Sequence, residues 1–293
     1  MTILVIGSTG TIGTRVVEAL AKRGQPASAL VHDRNPISAL AHGGTSKFPD
    51  GITPVKGDVT YMASMRAAMT GVDTLFLLNP VVPDEMTRAI LMLDLAIEAG
   101  IKRVVYLSMF KSDEFLDCPH ANAKFATEQM IHKFGIAATI LRPNYLFQND
   151  GGPIIKTHIY PMPIGNIGTS MVDARDIGEV AAIKLIERNR GESMATEIIE
   201  IHGSDVITAK SAVAIWTEAT GKKVAYLGDD LLNFEKAFAK MSTSEMAYDV
   251  AGMFRGFQRT GMIAPDGAVE ATAKLLGHPQ RTYRAYAEEM AAV

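Results

Sequence analysis

The chain has 293 residues, with 29 lysine and arginine residues against 32 aspartate and glutamate residues, so its formal net charge is −3. This near-neutral balance argues against a dedicated nucleic-acid binder, which typically has a basic domain or stripe. Hydrophobic residues make up 47% and charged residues 21%, which is the composition of a globular protein rather than a disordered one. A chain of this length can bury a large core, as one α/β domain or as one domain with an appendage.

The amino terminus, the cysteine content and the hydropathy bear on location. Cys118 is the single cysteine, which rules out an intramolecular disulfide and a cysteine-based metal cluster. The seven histidines show no close ligand spacing, so no metal is expected. No apolar run approaches the ~18 residues of a membrane span. The segment after Met1 lacks a basic leader and runs directly into a glycine loop, which predicts a cytoplasmic protein without a signal peptide or membrane contact.

Apolar segments of strand length recur through the first half of the chain. They are Ile3–Ile6, Ala27–Val31, Thr53–Val55, Thr74–Leu78, Arg103–Leu107 and Ala137–Leu141. Because they are continuously apolar, they indicate a sheet that is covered on both faces. Helical periodicity separates them, as in the stretch from Val16 to Ala21 and in Met86–Ala99. This alternation predicts a doubly wound parallel sheet.

The pattern changes after Leu141. Residues 143–168 are rich in proline and glycine, which predicts a long irregular loop. Asp173 is predicted to cap a helix that ends near Arg190. Glu197–Ile201 is predicted to be a strand, and residues 208–293 to be mostly helical.

A glycine motif directly follows the first apolar segment. It reads Gly7, Ser8, Thr9, Gly10, Thr11, Ile12 and Gly13. Glycine permits a tight turn and the close approach of a pyrophosphate to the backbone, and the following helix offers free N–H groups and a partial positive charge. A tight strand–helix turn without a ligand is the alternative. The buried strand before the motif and the helix after it favour dinucleotide binding by residues 7–13.

Charged residues follow the second and third strands. Asp33 lies 20 residues after Gly13, where an acid commonly binds the ribose 2′-OH of NAD, whereas the adjacent Arg34 can bind the 2′-phosphate of NADP. A solvated turn before Pro36 is the alternative for both residues. Asp58, after Gly57, is a candidate for the adenine edge, although aspartate is also common in turns at strand ends.

Several further motifs combine with the glycine loop into one family pattern. They are Arg34-Asn35-Pro36, Gly57-Asp58, Ala99 to Arg103, Leu141-Arg142-Pro143 and Val172 to Ile177. The pattern resembles the NmrA-like branch of the atypical short-chain dehydrogenase/reductase superfamily, which includes a fungal redox-sensing regulator and quinone and triphenylmethane reductases. The resemblance extends to about residue 225, and residues 277–283 resemble the tail of bacterial members.

The resemblance implies a Rossmann-type doubly wound parallel sheet with a smaller, mostly helical C-terminal substrate region. Residues 1–150 would form the NAD(P)-binding domain and residues 151–293 the substrate-binding region, with residues 170–205 packing back on the former. It also implies that Asn79 and Pro143 bind the cofactor and that Ser108, after strand five, orients the substrate. A hydrogen bond within a turn is the alternative for the Ser108 hydroxyl.

One departure from the superfamily pattern concerns its catalytic Tyr-x-x-x-Lys pair, which is His120 to Lys124 in this chain. The spacing still places both side chains on one helical face, so Lys124 can keep the ribose-binding role. A solvated lysine is the alternative. His120 can donate a proton, but its ordinary pKa is ~6.5 against ~10 for tyrosine. Helix capping or a surface position are its alternatives.

The resemblance implies an NAD(P)H-dependent oxidoreductase that reduces a small organic acceptor, such as a quinone, a conjugated carbonyl or a dye. The signals from Asp33 and Arg34 conflict, and we expect NADP(H) to be preferred over NAD(H). The alternative function is a catalytically silent redox sensor that acts through a protein partner, and the histidine in place of tyrosine keeps it open. A sugar-nucleotide epimerase is disfavoured because that chemistry needs the missing tyrosine. The expected partner is a small-molecule acceptor, and a homodimer is allowed.

Overall fold

The computed structural model describes residues 1–32, 48–192 and 195–292. Two compact units make up the chain. The first comprises Met1–Ser108, Ala123–Arg142 and Ile177–Ile199. The second comprises Met109–Asn122, Pro143–Asp176 and Glu200–Val293. The chain therefore passes between the units several times, and neither unit is one continuous stretch.

The first unit is built on a seven-stranded sheet of order β3-β2-β1-β4-β5-β6-β8. Its strands are β1 (Ile3–Val5), β2 (Ala27–Val31), β3 (Ile52–Lys56), β4 (Thr74–Leu77), β5 (Arg103–Leu107), β6 (Ala137–Pro143) and β8 (Glu197–Ile201). The pairings from β3 through β6 are all parallel. The predicted parallel sheet is confirmed, and the strand ends differ from the prediction by at most two residues. The strand order reverses between β1 and β4, and ligands bind at such a switch point in open α/β sheets.

Helices accompany this sheet along the chain. They are α1 (Thr11–Lys22), α2 (Met62–Met69), α3 (Glu85–Glu98), α4 (Pro119–Phe134) and α6 (Ala174–Arg190). Helix α1 is amphipathic and buries Val16, Val17 and Leu20, as its periodicity predicts. The predicted cap of α6 is present, because Asp173 Oδ1 accepts the N–H of Arg175 at 2.8 Å. None of the helices among the described residues is long and apolar enough to cross a membrane.

The second unit is mostly helical, as predicted for residues 208–293. Its elements are α5 (Gln148–Thr157), β7 (Ile159–Tyr160), α7 (Ala209–Thr220), β9 (Ala225–Tyr226), α8 (Leu231–Phe238), α9 (Ser244–Thr260), α10 (Ala268–Leu276) and α11 (Tyr283–Ala291). The prediction of an irregular loop over residues 143–168 was wrong for residues 148–160, which contain α5 and β7, whereas residues 161–168 form no helix or strand. Pro153 lies within α5, and Ile154 packs into the aromatic core of the second unit, a buried cluster that includes Phe147, Tyr160, Trp216 and Tyr283. This packing stabilises the helix although proline and glycine disfavour one locally.

A buried carboxyl lies in the aromatic core of this second unit. Asp150 is fully buried in the first turn of α5, and Tyr283 Oη donates to its Oδ2 at 2.5 Å. Trp216 Nε1 in turn donates to Tyr283 Oη at 2.8 Å. Burial raises the pKa of Asp150 to about 7, against the lowering effect of the tyrosine hydroxyls.

This carboxyl predicts a pH dependence of stability. The pKa of Asp150 is raised in the folded chain, so the folded state binds more protons than the unfolded state between about pH 4 and pH 7. The free energy of unfolding should therefore fall as the pH rises through this window, by at most about 1.4 kcal/mol per pH unit from this group. Asp150→Asn should remove that slope and be the more stable form above pH 7. Urea titrations of both forms across the window measure the difference, and parallel pH profiles would contradict the assignment.

Candidate functional site

The glycine loop is a tight turn between β1 and α1. Gly7 has a φ of +77°, and its carbonyl accepts the N–H of Gly10 at 3.0 Å. A Cβ at Gly13 would lie 2.0 Å from that same carbonyl oxygen, so the start of α1 packs against the loop backbone too closely for any side chain. Gly10 is the N-cap of α1, and no side chain of the described residues caps the helix. The first N–H groups of α1 are therefore available to an anion, as the pyrophosphate prediction requires.

A cavity of about 500 Å³ opens beside this loop. It is lined by Ile6, Gly7, Thr9, Gly10, Leu30, His32, Gly57, Asp58, Val59, Thr60, Leu78, Pro80 and Arg88. These residues belong to the glycine loop and α3 or lie at the carboxyl ends of β1 to β4, where the strand order reverses. The volume lies within the range of small-molecule and cofactor sites.

The residues of the glycine motif have different environments. Thr9 and Gly10 line the cavity. Ser8 is buried, and its Oγ donates to the Leu30 carbonyl at 2.6 Å, so its side chain ties the loop to β2 and only its backbone can face a ligand. Thr11 and Ile12 are the first residues of α1.

Asn79 is a second indication of a ligand. It follows the cavity residue Leu78 and is only 4% exposed. Neither its amide oxygen nor its amide nitrogen has a hydrogen-bond partner among the described residues. Buried polar atoms are nearly always paired, so an amide in this state fits a site whose partner is a bound molecule.

Asp58 lines the cavity together with His32. His32 Nε2 lies 2.8 Å from Asp58 Oδ2, and Asp58 Oδ1 accepts the N–H of Thr60 at 2.8 Å. The hydrogen bonds from Thr60, and secondarily His32, lower the pKa of Asp58 to about 2. Asp58 is therefore a fixed anionic acceptor at neutral pH. Asp33 and Arg34, on which the choice between NAD and NADP depends, lie outside the described residues.

Ser108 directly follows β5 and is only 3% exposed. Its Oγ donates to Glu128 Oε1, and Arg142 forms two hydrogen bonds with the same carboxylate at 3.0 and 2.6 Å. A hydroxyl that donates to Glu128 can only accept from a substrate. Pro143 is the last residue of β6, and its carbonyl accepts the Phe110 N–H at 2.9 Å.

Lys124 is buried within the first unit. Its Nζ donates to Glu85 Oε1 at 2.7 Å, and the two side chains are 9% and 2% exposed. The ion pair holds the ammonium group in one place and leaves it two further N–H donors. The solvated lysine that was the alternative is thereby excluded.

His120 lies one turn before Lys124 on α4, and its ring contacts belong to the second unit. Its Nδ1 lies 2.7 Å from Asp249 Oδ1 and 3.4 Å from Cys118 Sγ. The histidine is 6% exposed, so it is neither a surface residue nor a simple helix cap.

Several residues of this geometry were missed by the sequence analysis. They are His32, Thr60, Glu85, Arg88 and Asp249. His32 and Thr60 flank residues that the motifs did single out, so strand-end position could have found them. Glu85 and Asp249 are 39 and 129 residues away from their partners Lys124 and His120, and no local pattern marks them.

Comparisons with known proteins agree with this architecture. An azoreductase that uses NAD(P)H, from Xenophilus azovorans, is 28% identical over 295 residues, which cover 99% of this chain and 98% of that protein. Quinone oxidoreductase 2 of Escherichia coli (strain K12) is 26% identical over 285 residues, covering 96% of this chain and 95% of that protein. The crystal structure of the NADPH-dependent quinone oxidoreductase of Escherichia coli with NADPH superposes with a TM-score of 0.80 at 23% identity, over 99% of both chains. The family model described as the NmrA-like family matches residues 1–286, and the chain therefore belongs to the NmrA-like family.

Proposed function

We propose that this protein is an NAD(P)H-dependent oxidoreductase that reduces a small organic acceptor such as a quinone, a conjugated carbonyl or a dye. One observation supports it above the others. The glycine loop with the uncapped start of α1 follows β1, and the Asn79 amide, which has no partner among the described residues, follows β4, so both lie at the carboxyl edge of the sheet where the strand order reverses. Relatives over nearly the whole chain are an azoreductase and a quinone oxidoreductase.

Different residues would bind different parts of the dinucleotide. The backbone of residues 7–13 and the start of α1 would bind the pyrophosphate. Asp58 would accept a hydrogen bond from the adenosine part of the dinucleotide. The buried amide of Asn79 would form hydrogen bonds with the bound molecule. Lys124 would donate its two remaining N–H groups to ribose hydroxyls. The bound nicotinamide would supply a hydride, and the chain would hold the acceptor beside it and exclude water.

The chemistry of the acceptor decides whether a protein acid is needed. A quinone or a conjugated dye spreads the charge it gains over its own π system and can take its proton from water. A simple ketone develops a localised alkoxide that must be protonated within the site. His120 is held by Asp249 and Ser108 donates to Glu128, so neither presents a free proton in this structure. The conjugated class of acceptor therefore fits better.

An acceptor panel tests this proposal. Quinones, azo dyes, triphenylmethane dyes, enones and simple ketones are each offered with NADPH and with NADH, and cofactor oxidation is followed at steady state. We expect sustained oxidation with at least one conjugated class and none with simple ketones. Tight cofactor binding without turnover on any acceptor would instead favour the sensor function.

The choice of cofactor gives a separate prediction at Arg34. A charge-assisted hydrogen bond to the 2′-phosphate is worth about 1.5–3 kcal/mol, or roughly ten- to a hundredfold in affinity. Arg34→Ala should therefore weaken NADPH binding by that factor and leave NADH binding nearly unchanged. Calorimetric titration of both cofactors measures it, with Arg66→Ala on the exposed surface as the control. Equal losses for both cofactors, or an unsubstituted protein that prefers NADH, would overturn the NADP assignment.

A further inference from the structure

Three side chains with metal-binding atoms converge in the second unit. Cys118 immediately precedes α4, His120 is its second residue, and Asp249 lies in the middle of α9. The Cys118 Sγ atom is 3.4 Å from His120 Nδ1 and 3.5 Å from Asp249 Oδ1, and the latter two atoms are 2.7 Å apart. All three residues are buried, at 0%, 6% and 6% exposure. We call them the Cys–His–Asp cluster.

The spacing of these donor atoms suits a small tetrahedral cation. Zinc binds thiolate sulfur at about 2.3 Å and imidazole nitrogen and carboxylate oxygen at about 2.0–2.2 Å, which separates the donor atoms of one site by roughly 3.3–3.6 Å. The two sulfur distances already match, and the nitrogen–oxygen distance has to open by roughly half an ångström. We propose that the Cys–His–Asp cluster is a zinc site, with Cys118 Sγ, His120 Nδ1 and Asp249 Oδ1 as its protein ligands.

The donor set favours zinc among the common metals. A thiolate excludes the oxygen-loving magnesium and calcium ions, whereas imidazole, thiolate and carboxylate together are ligands that zinc accepts. Zinc is also redox-inert, which suits a buried position. Three protein ligands leave one position for the second oxygen of Asp249 or a water molecule.

The charges of the cluster are consistent with a bound dication. Asp249 Oδ1 lies 2.7 Å from the His120 ring nitrogen and accepts the His120 backbone N–H at 3.1 Å, which is the environment of a carboxylate anion. On binding, the zinc ion displaces the Cys118 thiol proton to solvent. The proton that His120 Nδ1 shares with Asp249 Oδ1 also leaves that nitrogen, so the zinc-bound imidazole is neutral and carries its single proton on Nε2. The dication, the carboxylate and the thiolate then sum to zero charge.

A thiol nucleophile is a poorer explanation of the same residues. Reactive cysteines are exposed and have a lowered pKa, whereas Cys118 is fully buried and its pKa is raised. A hydrogen-bonded network without metal is the remaining alternative. In such a network, Asp249 Oδ1 accepts three hydrogen bonds, from the His120 ring at 2.7 Å, from the His120 backbone N–H at 3.1 Å and from the Cys118 thiol at 3.5 Å.

Zinc at this point would be structural. It would link the segment from Cys118 to His120 to α9 within the second unit. It would also coordinate His120 Nδ1, the imidazole nitrogen that faces Asp249. His120 would then be a metal ligand rather than a proton donor, which agrees with the proposed function without depending on it.

The metal content of the purified full chain tests the proposal. The protein is prepared without chelators, and its zinc is measured by mass spectrometry and then titrated back into chelator-treated protein against a competing chelator dye. We expect about one zinc ion per chain, with an affinity that falls at least about 100-fold in Cys118→Ser and in Asp249→Asn. His132→Gln, at an exposed histidine elsewhere on α4, is the matched control and should bind zinc normally.

A second measurement covers variants that fail to fold. Cobalt(II) in place of zinc in the unsubstituted protein should give the thiolate-to-cobalt charge-transfer band together with tetrahedral visible bands. Circular dichroism and NADPH titration report whether each variant is folded. Zinc content that is far below one per chain, or is unchanged in a folded Cys118→Ser, would overturn the site, as would cobalt spectra without the charge-transfer band. Neither readout involves turnover, so failure here is distinguishable from failure of the proposed function.

Discussion

Replacing Gly13 by alanine should weaken cofactor binding by about 100-fold and lower the stability of the first unit. The added Cβ would lie 2.0 Å from the Gly7 carbonyl oxygen, 2.5 Å from its carbon and 2.9 Å from Ser8 Cα. All three are backbone atoms, so α1 and the glycine loop must move apart. Overpacking of this kind costs typically 1–3 kcal/mol, and 2.7 kcal/mol corresponds to about 100-fold in affinity.

Calorimetric titration with NADPH, together with urea unfolding, measures both effects. Gly152→Ala is the matched control, because a Cβ at Gly152 meets no atom within 4 Å. It should bind NADPH like the unsubstituted protein. If Gly13→Ala also binds NADPH normally, the dinucleotide is not bound at this loop.

Loss of Lys124 should reduce kcat/KM by about 100-fold, whereas loss of His120 should cost much less. Lys124 would donate charge-assisted hydrogen bonds to the ribose, each worth about 1.5–3 kcal/mol. A committed acid or base typically contributes ~10²–10⁴-fold, and His120→Ala should stay well below that range with a conjugated acceptor.

The Lys124 experiment needs a variant in which a loss of activity can be distinguished from a loss of folding. Lys124→Ala alone leaves the Glu85 carboxylate buried without its cation, which costs about 3–5 kcal/mol in stability. Combining Lys124→Met with Glu85→Gln removes both charges, so this double variant should fold and still lose activity. Lys184→Met is the control, because Lys184 is also largely buried and ion-paired, with Glu187 at 2.8 Å. An inactive but folded His120→Ala beside a nearly normal double variant would show that His120 is a catalytic acid.

The sheet was predictable because its signals are local. Most residues of β1, β2, β4, β5 and β6 are apolar and buried, and the glycine loop lies between a strand and an amphipathic helix. The same local rules were wrong over residues 148–160, inside the predicted loop of residues 143–168. Their prolines and glycines indicate a loop, but Phe147 and Ile154 bury in the aromatic core and stabilise α5.

Only the residues of the site that belong to a local sequence motif could be predicted. Gly7 and Asp58 line the cavity as their positions predict. The ion pair of Lys124 with Glu85 joins a helix that follows β4 to one that follows β5, and only the folded sheet brings them together. The expectation that the chain binds no metal depends on ligands that are close in the chain, and it stays a prediction beside the proposed zinc site. Asp249 is 129 residues from His120, so a search for close ligands does not find it.

One measurement tests the central claim most directly. NADPH oxidation and acceptor reduction are quantified in the same anaerobic sample, with the conjugated acceptor that gives the fastest rate and a large excess of both over protein. We predict many turnovers per chain, one acceptor molecule reduced by two electrons for each NADPH consumed, and a much lower rate of both signals in Gly13→Ala at an NADPH concentration near the dissociation constant of the unsubstituted protein. NADPH that is bound tightly but never consumed, with every class of acceptor, would contradict an oxidoreductase.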